Sequence, residues 1–156
     1  MRSISINKRL LHHYEVIEQY TGGLVLHGYE VKSIKSGQVT IGQAWVRIDD
    51  QGRARIEWLE VPLYHKTSLK QIGNYDSKRS RLVLLRSWEI RKLAERTHKT
   101  GNTLKIVEIG VWQRWYIKII IWLVKLMKKI EKKQKLIEKQ TERQAQIEMK
   151  HIIFTS

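Results

Sequence analysis

Apolar and polar residues alternate along several short stretches of the chain, the pattern that predicts β-strands with one buried face. It is clearest at residues 44–48, where Ala44, Val46 and Ile48 share one side. The run Asp-Asp-Gln-Gly that follows predicts a turn, and residues 53–61 resume as a strand. We therefore expect a hairpin in this part of the chain.

Other stretches carry weaker strand patterns. Pro62, the only proline, closes the strand before it because it has no amide hydrogen for a ladder. Gly22 and Gly23 are expected to break or bulge the strand that precedes them. Residues 82–85 fit either a buried strand or the start of a helix, and residues 64–81, polar and without periodicity, predict a long mobile loop. The remaining predicted strands are residues 14–20, 24–26, 103–111 and 116–123, the last two joined by a tight turn at Gln113-Arg114.

The first predicted helix covers residues 30–36. Val31 and Ile34 lie three apart and form its packed face. Gly37 is placed to end the helix in a left-handed conformation. The side chains expected on its solvent face are Glu30, Lys32 and Lys35.

A second helix is predicted from Ser87 to about Thr97. Ser87 is expected to be its N-cap, because a hydroxyl oxygen there can accept a hydrogen bond from a free backbone amide. Ile90 and Leu93 are expected to pack against the rest of the domain.

The chain is strongly basic. Its 156 residues hold 30 Lys and Arg against 15 Asp and Glu, a formal net charge of +15. Such a protein is attracted to polyanions, because its cations release counterions from phosphates. We therefore expect a nucleic-acid partner, and the alternative is a basic protein without one. The cations of which a small barrel could gather several on one side are Lys8, Arg9, Lys32, Lys35, Lys66, Lys70, Lys78, Arg79 and Arg81.

Nothing in the sequence indicates catalysis or metal binding. The absence of cysteine excludes disulfides, cysteine nucleophiles and thiolate zinc sites. The six histidines are spread over different predicted elements, and no glycine-rich phosphate loop or nucleophile elbow occurs. The apolar run 117–124 contains Lys118 and is closed by Lys125, well short of the roughly 20 residues of a membrane helix. We expect no enzyme, no cofactor, no metal and no membrane partner.

Residues 124–156 differ in character from the rest. Residues 125–150 hold eight Lys and one Arg against four Glu, a net charge of +5. Glycine and proline are absent, but the apolar stripe is too interrupted to hold a helix strongly. We expect a tail that is disordered when free and helical when bound along a polyanionic groove. A solvated helix or coiled-coil arm is the alternative.

One order of motifs runs through nearly the whole chain. It comprises Asn7-Lys8-Arg9, Tyr14, Glu30-Val31-Lys32-Ser33, Ala44-Trp45-Val46, Asn74-Tyr75-Asp76, Arg79, Arg81, Leu82 to Leu85, Glu89-Ile90 and the basic tail. This order resembles the SsrA-binding protein family, also called small protein B, whose members bind transfer-messenger RNA and rescue stalled bacterial ribosomes. The resemblance implies a mainly β fold: an OB-like β-barrel with added short helices at residues 1–123, and a basic C-terminal helical tail at 124–156. The hydrophobic pattern alone predicts only a small β-rich domain with helices.

The resemblance also implies site residues. The glutamate of the family's Glu-Val-Lys-Ser motif lies in the RNA-binding surface, and it corresponds to Glu30. Two further family positions that affect the RNA complex correspond to Leu84 and Arg86. Glu30 would hydrogen-bond a base or position basic side chains; the alternative is a charge that stabilises the helix start. The expected RNA-binding residues are Asn7, Lys8, Arg9, Glu30, Lys32, Lys35, Asn74, Asp76, Arg79, Arg81, Leu84 and Arg86.

In the family the tail enters the decoding centre and the empty mRNA channel of a stalled ribosome. The corresponding residues here are Lys125, Lys128, Lys129, Ile130, Lys132, Lys133, Lys139 and Arg143. Family tails read roughly Lys-Gly-Lys-Lys followed by an aromatic residue or His. Here Leu126 replaces the glycine, Met127 replaces a lysine and Ile130 stands at the stacking position. These changes identify a divergent member.

We therefore predict a non-enzymatic, monomeric, cytoplasmic RNA-binding protein. Its expected partners are the tRNA-like domain of transfer-messenger RNA, and the ribosome at the 16S rRNA, decoding centre and mRNA channel. The first alternative is a structural ribosomal or ribosome-assembly protein that binds rRNA. The second is a membrane-surface protein using Trp112, Trp115 and Trp122, although we expect these tryptophans in core strands.

Overall fold

The computed structural model describes residues 1–67, 73–98, 101–127 and 129–155. The chain divides into two compact units, Met1–Lys125 and Leu126–Ser156. Part of the predicted mobile loop, residues 68–72, lies outside the described residues, as does Lys128 of the tail.

In the first unit the described residues form seven strands, a 3₁₀ helix at Leu10–His12 and two α-helices. The strands are β1 (Arg2–Ile6), β2 (Tyr14–Leu24), β3 (Trp45–Ile48), β4 (Ala54–Glu57), β5 (Arg81–Leu84), β6 (Asn102–Trp112) and β7 (Tyr116–Leu126). The α-helices are α1 (Gly28–Lys35) and α2 (Ser87–Thr97). The described part of the second unit contains α3 (Lys129–Thr155).

The strands form one antiparallel sheet that closes on itself. Their order is β1-β6-β3-β4-β5-β2-β7, and β7 pairs in addition with β6. The long strand β6 makes closure possible, because it pairs with β3 near Leu104, with β1 between Glu108 and Val111, and with β7 along its length. The predicted mainly β, OB-like fold with added helices is confirmed.

The core lies inside this barrel and is dominated by β6 and β7. Ile106 and Ile109 are both fully buried, although an odd spacing would place them on opposite faces of a regular strand. A β-bulge between Ile106 and Glu108 returns both side chains to the interior. Burying one such side chain stabilises the fold by about 1.5–3 kcal/mol. Further fully buried side chains of these strands are Leu104, Ile119, Ile121 and Leu123.

The predicted β3–β4 hairpin is confirmed, but its second strand is shorter than expected. β4 ends at Glu57 rather than continuing to Val61. The reason is Trp58, whose φ of 59° lies in the left-handed region and interrupts an extended strand. The chain regains a single antiparallel bridge between Thr40 and Glu60.

Of the expected break or bulge at Gly22 and Gly23, the break is wrong, because β2 runs without interruption from Tyr14 to Leu24. Gly22 is buried against β5: a Cβ at this position would lie 2.9 Å from Val83 Cγ1 and 3.3 Å from the Leu84 carbonyl oxygen. The glycine therefore serves close approach of two strands rather than a turn.

Both predicted helices occur, and only the first of them begins at a different residue. α1 begins at Gly28, and the left-handed end at Gly37 is confirmed by its φ of 88°. The prediction of Ser87 as N-cap is wrong, since Arg86 takes that position. The Glu89 carboxylate accepts a hydrogen bond from the Arg86 amide at 3.1 Å, which satisfies the helix start without the serine hydroxyl.

β7 extends three residues beyond the predicted boundary at residue 123. Val124 is fully buried and pairs with Thr103, and Lys125 pairs with Asn102. Both residues therefore belong to the barrel strand, because they continue its ladder with β6.

Candidate nucleic-acid interface

Glu30 was expected to face solvent, and this expectation is wrong: its side chain is completely buried. One turn of α1 places it beneath the segment 73–80 and the start of β5. Its Oε1 accepts hydrogen bonds from the His27 amide at 2.9 Å and from Arg79. Its Oε2 accepts from Arg81 Nε at 2.7 Å and from Arg79 Nε at 3.2 Å. One carboxylate thus joins the start of a helix to two arginines about fifty residues away.

Arg81 is buried as completely as Glu30, so the expectation that it lies on an exposed basic face is also wrong. Its Nη1 donates to the Leu59 carbonyl at 2.7 Å and to the Arg79 carbonyl at 3.1 Å. Its Nη2 donates to the Ser77 carbonyl at 3.0 Å and to the Tyr75 hydroxyl at 3.2 Å. Together with the bond to Glu30, these contacts occupy every N–H of the guanidinium, which has none left for RNA.

The network fixes the charge state of its members. Burial raises the pKa of Glu30, but hydrogen bonds from Arg79, the His27 amide and Arg81 outweigh it and leave the pKa below its ordinary value of 4.5. Burial and the neighbouring Glu30 charge raise the pKa of Tyr75 to about 12. Near neutral pH the cluster therefore holds an ionised carboxylate and a neutral phenol.

Tyr75 holds the described end of the predicted mobile loop in place. Its hydroxyl donates to the Val61 carbonyl at 2.7 Å, and the Val61 amide pairs with the Ser77 carbonyl at 2.9 Å. Its ring meets Tyr29 edge-on, with centroids 5.4 Å apart. Residues 73–80 are thus anchored to both α1 and the chain after β4, and Tyr75 is not presented as a free stacking surface.

The remaining candidates are partly or fully exposed. Arg79 keeps 30% of its side chain accessible while bonded to Glu30, so it is the arginine of the network that also reaches the surface. Lys35 donates to the Arg114 carbonyl at 3.0 Å. Asn7 is partly buried, and its backbone N–H donates to the Val107 carbonyl. The exposed candidates are Lys8, Arg9, Lys32, Asn74, Asp76, Leu84 and Arg86.

A groove of about 550 Å³ lies along β2, the end of β5 and the start of α2. Leu84 and Arg86 line it together with Gly23, Glu89 and Lys118. Leu84 is 58% exposed, so the expectation of a uniformly buried strand at residues 82–85 is wrong at this position. An exposed leucine beside cations gives this groove both an apolar and a positively charged part.

The tryptophans of the β6–β7 hairpin were expected in the core, and this expectation is wrong. Trp112 and Trp115 are exposed, whereas Trp122 is partly buried. Cations cover the first two: Lys118 Nζ lies 3.9 Å from the Trp112 ring centroid, and Lys35 Nζ lies 4.6 Å from that of Trp115. The hairpin tip therefore carries aromatic surface already paired with positive charge.

The tail candidates divide between β7 and the second unit. Lys125 is an exposed residue of β7, and Lys139 and Arg143 are exposed on α3. Lys128 lies outside the described residues, and only the backbone is described for the α3 residues Lys129, Ile130, Lys132 and Lys133.

Within the described residues, no group of three or more His, Asp or Glu side chains could hold a metal ion. None of the helices described there is both long and apolar enough to span a bilayer. Sequence reasoning missed two features of the barrel: the exposed Trp58 and the partly buried Lys105. Neither had a signal, since a positive φ at tryptophan and a lysine without a counterion arise only in three dimensions.

Comparisons with known proteins point to one family. The family model described as SmpB protein matches residues 4–151. The SsrA-binding protein of Coprothermobacter proteolyticus is 35% identical over 96% of this chain and 98% of its own length. That of Thermus thermophilus is 34% identical over 86% of this chain and 90% of its own.

A solved structure supports the same assignment at the level of the fold. It is described as "tmRNA-SmpB: a journey to the center of the bacterial ribosome". The match has a TM-score of 0.65 at 34% identity and covers 80% of this chain and 85% of that one. Sequence and fold agree, and this chain belongs to the SmpB protein family.

Proposed function

We propose that this protein binds transfer-messenger RNA, also called SsrA RNA, and delivers it to stalled ribosomes for trans-translation and ribosome rescue. It acts in the cytoplasm as a monomeric, non-enzymatic adaptor. The barrel binds the tRNA-like domain of the RNA, and the tail probes the empty mRNA channel at the decoding centre. The names of its relatives and the net charge of +15 support this proposal.

The observation that carries it is the buried Glu30 network. Burying the charges of Glu30, Arg79 and Arg81 costs desolvation free energy, so the network stabilises the fold little by itself. What it contributes is a fixed geometry. It ties α1, the segment 73–80 and β5 into one rigid unit. We therefore assign Glu30 and Arg81 to positioning, and not to contact with a base.

The RNA contacts are assigned to side chains that this unit holds at the surface. Arg79 offers the accessible part of its guanidinium to phosphate, and Arg86 offers an exposed one beside the apolar Leu84. A rigid surface of this kind recognises a folded RNA by its shape, while the cations supply affinity. The further contacts proposed are Asn7, Lys8, Arg9, Lys32, Lys35, Asn74 and Asp76.

The ribosomal contacts are assigned to the cations after the barrel. Lys125 at the end of β7 and the exposed Lys139 and Arg143 of α3 would lie along rRNA phosphates in the vacant channel. The same role is proposed for Lys128, Lys129, Lys132 and Lys133, and Ile130 is proposed as an apolar contact in the same channel. Whether the tail is ordered before it binds stays a prediction for solution measurement.

The test separates the two parts of the chain. Leu84→Ala/Arg86→Ala removes two exposed contacts without touching the core, and should weaken affinity for a tRNA-like RNA about tenfold or more. Arg53→Ala, an exposed arginine in the β3–β4 turn, is the matched control and should change affinity little. The free energy of unfolding of each variant shows whether the fold is intact.

A chain ending at Met127 keeps all of β7 and its buried Val124 and Met127. It should bind the tRNA-like RNA as the full chain does, and should lose peptide tagging on ribosomes stalled without message. If truncation abolishes RNA binding, the division between barrel and tail is wrong. If the full chain sediments equally with ribosomes that hold mRNA and with ribosomes that lack it, a structural ribosomal role replaces rescue.

A further inference from the structure

A cavity of about 450 Å³ opens on the barrel between the chain after β4 and strands β3 and β6. Its lining includes two tryptophans and two lysines, Trp45, Trp58, Lys78 and Lys105, together with one acid, Glu60. The volume lies in the range of small-ligand sites. Aromatic rings combined with cations are what bases and phosphates require of a protein surface.

Trp58, one of the lining residues, is held in an unfavourable backbone conformation. Its φ of 59° lies in the left-handed region, which is costly for a residue other than glycine. The indole gains little from burial in return, because 56% of the side chain is exposed. Trp58 therefore combines a strained backbone with a ring that still faces water, and it does little for the stability of the fold.

Lys78 and Trp58 form a pair that stands between two hollows. Lys78 Nζ lies 5.4 Å from the Trp58 ring centroid, within the range of a cation–π contact. Both side chains also line a second groove of about 400 Å³, whose other lining residues are Glu57, Asp76, Arg79 and Ser80. The pair therefore belongs to the lining of both hollows.

Lys105 is a cation in the cavity without a counterion. It is partly buried on β6, and burial lowers its pKa. Within the part of the chain that the structure describes, no carboxylate forms an ion pair with it, and its nearest ring contact is Tyr14 at 5.9 Å. Glu60 likewise makes no side-chain hydrogen bond or ion pair among the described residues. A lone cation and a lone acceptor in one cavity suit a phosphate and the N–H groups of a base.

We propose that this cavity binds one nucleotide of a single-stranded RNA, with its base stacked on Trp58 and its phosphate at Lys78 and Lys105. The neighbouring groove takes the next nucleotide, which favours an RNA strand over a free nucleotide as the source of the ligand. The choice of RNA rests on the function proposed above. Neither Leu84 nor Arg86 lines this cavity.

The test uses the full chain and an RNA pentamer that carries 6-thioguanosine at its centre. Guanine offers adjacent N–H donors to a carboxylate such as that of Glu60. Photocrosslinking followed by tryptic mapping should place the crosslink in the peptide 56–66, which contains Trp58. Guanosine 5′-monophosphate as competitor distinguishes the two sources of ligand, and should displace the pentamer at least tenfold less well than unlabelled pentamer.

Variants test the contacts. Trp58→Ala and Trp58→Gly should each lower pentamer affinity about tenfold; the glycine variant suits a positive φ and so guards against misfolding. Trp88→Ala is the control, because Trp88 is similarly exposed at 51% on α2. Lys105→Gln should weaken binding and flatten its salt dependence more than Arg91→Gln, which removes an exposed charge from α2.

The proposal is overturned if the crosslink maps outside 56–66, or if folded Trp58→Gly binds the pentamer as well as the wild type does. Equal binding of the monophosphate would overturn RNA as the ligand. A chain that crosslinks at 56–66 yet ignores tRNA-like RNA would refute only the function proposed above. Binding of tRNA-like RNA without that crosslink would refute only this site.

Discussion

Replacing Glu30 with alanine tests whether the buried network of Glu30, Arg79 and Arg81 holds this face of the barrel together. The substitution leaves Arg81 buried with no carboxylate partner, and it removes the hydrogen bonds that Glu30 accepts from Arg79, Arg81 and the His27 amide. Breaking a buried pair by deleting one partner costs about 3–5 kcal/mol, because the remaining charge is desolvated without compensation. Single domains have only about 5–15 kcal/mol in total, so the variant should fold but be much less stable.

The assay is urea unfolding monitored by circular dichroism, and the free energy of unfolding is assumed to fall with urea concentration at the same rate in both proteins. At about 2–4 °C per kcal/mol for a chain of this size, the midpoint of thermal unfolding should fall by roughly 6–20 °C. Arg47→Ala is the control: it breaks an ion pair with Glu57 of similar length, 2.8 Å, whose arginine is 42% exposed, and should cost less than about 1 kcal/mol. If Glu30→Ala unfolds at the same urea concentration as Arg47→Ala, the network does not hold the barrel face together. Direct contact of Glu30 with RNA would then be the better explanation of any binding defect.

Three further predictions concern stability. Because the pKa of Glu30 is lowered in the folded protein, the ionised carboxylate stabilises the fold above pH 4.5, and this stabilisation is lost as the pH falls through the folded pKa. The free energy of unfolding should therefore fall more steeply with acid for the wild type than for Glu30→Gln, and equal slopes would contradict this. Gly22→Ala should destabilise by about 1–3 kcal/mol through the clash with Val83, whereas Gly28→Ala, whose Cβ would meet nothing within 4 Å, should not destabilise, as chemical denaturation can measure. Trp58→Gly should be about 1 kcal/mol more stable than Trp58→Ala because of the positive φ, and the reverse order would show that the strain is absent.

Local patterns predicted much of the barrel because they act over a few residues. The alternation at Ala44, Val46 and Ile48 located β3, and the Asp-Asp-Gln-Gly turn located its hairpin. Gly37 ended α1 as expected. The bulge between Ile106 and Glu108 and the end of β4 at Glu57 had no such signal, since both depend on how a strand fits neighbours that are distant in sequence.

The candidate site shows the same division. The motif resemblance singled out Glu30, Arg79 and Arg81, and the structure brings all three together. The burial of Glu30 and Arg81 could not be predicted, because charged residues are mostly exposed and only a partner about fifty positions away makes burial tolerable. Leu84 was misjudged in the opposite direction: an apolar run predicts burial, but the closing of the barrel decided which of its side chains faces out.

The sequence by itself determined the family, the net positive charge, the strand-rich fold and the basic C-terminal segment, all of which depend on residue order and composition. The tertiary structure alone decided which charges are available to a ligand. It buried Glu30 and Arg81 as a positioning pair, left Arg79, Leu84 and Arg86 at the surface, and set Trp58 beside Lys78. The physical reason is that accessibility depends on closure of the sheet, in which β6 and β7 join strands from opposite ends of the chain.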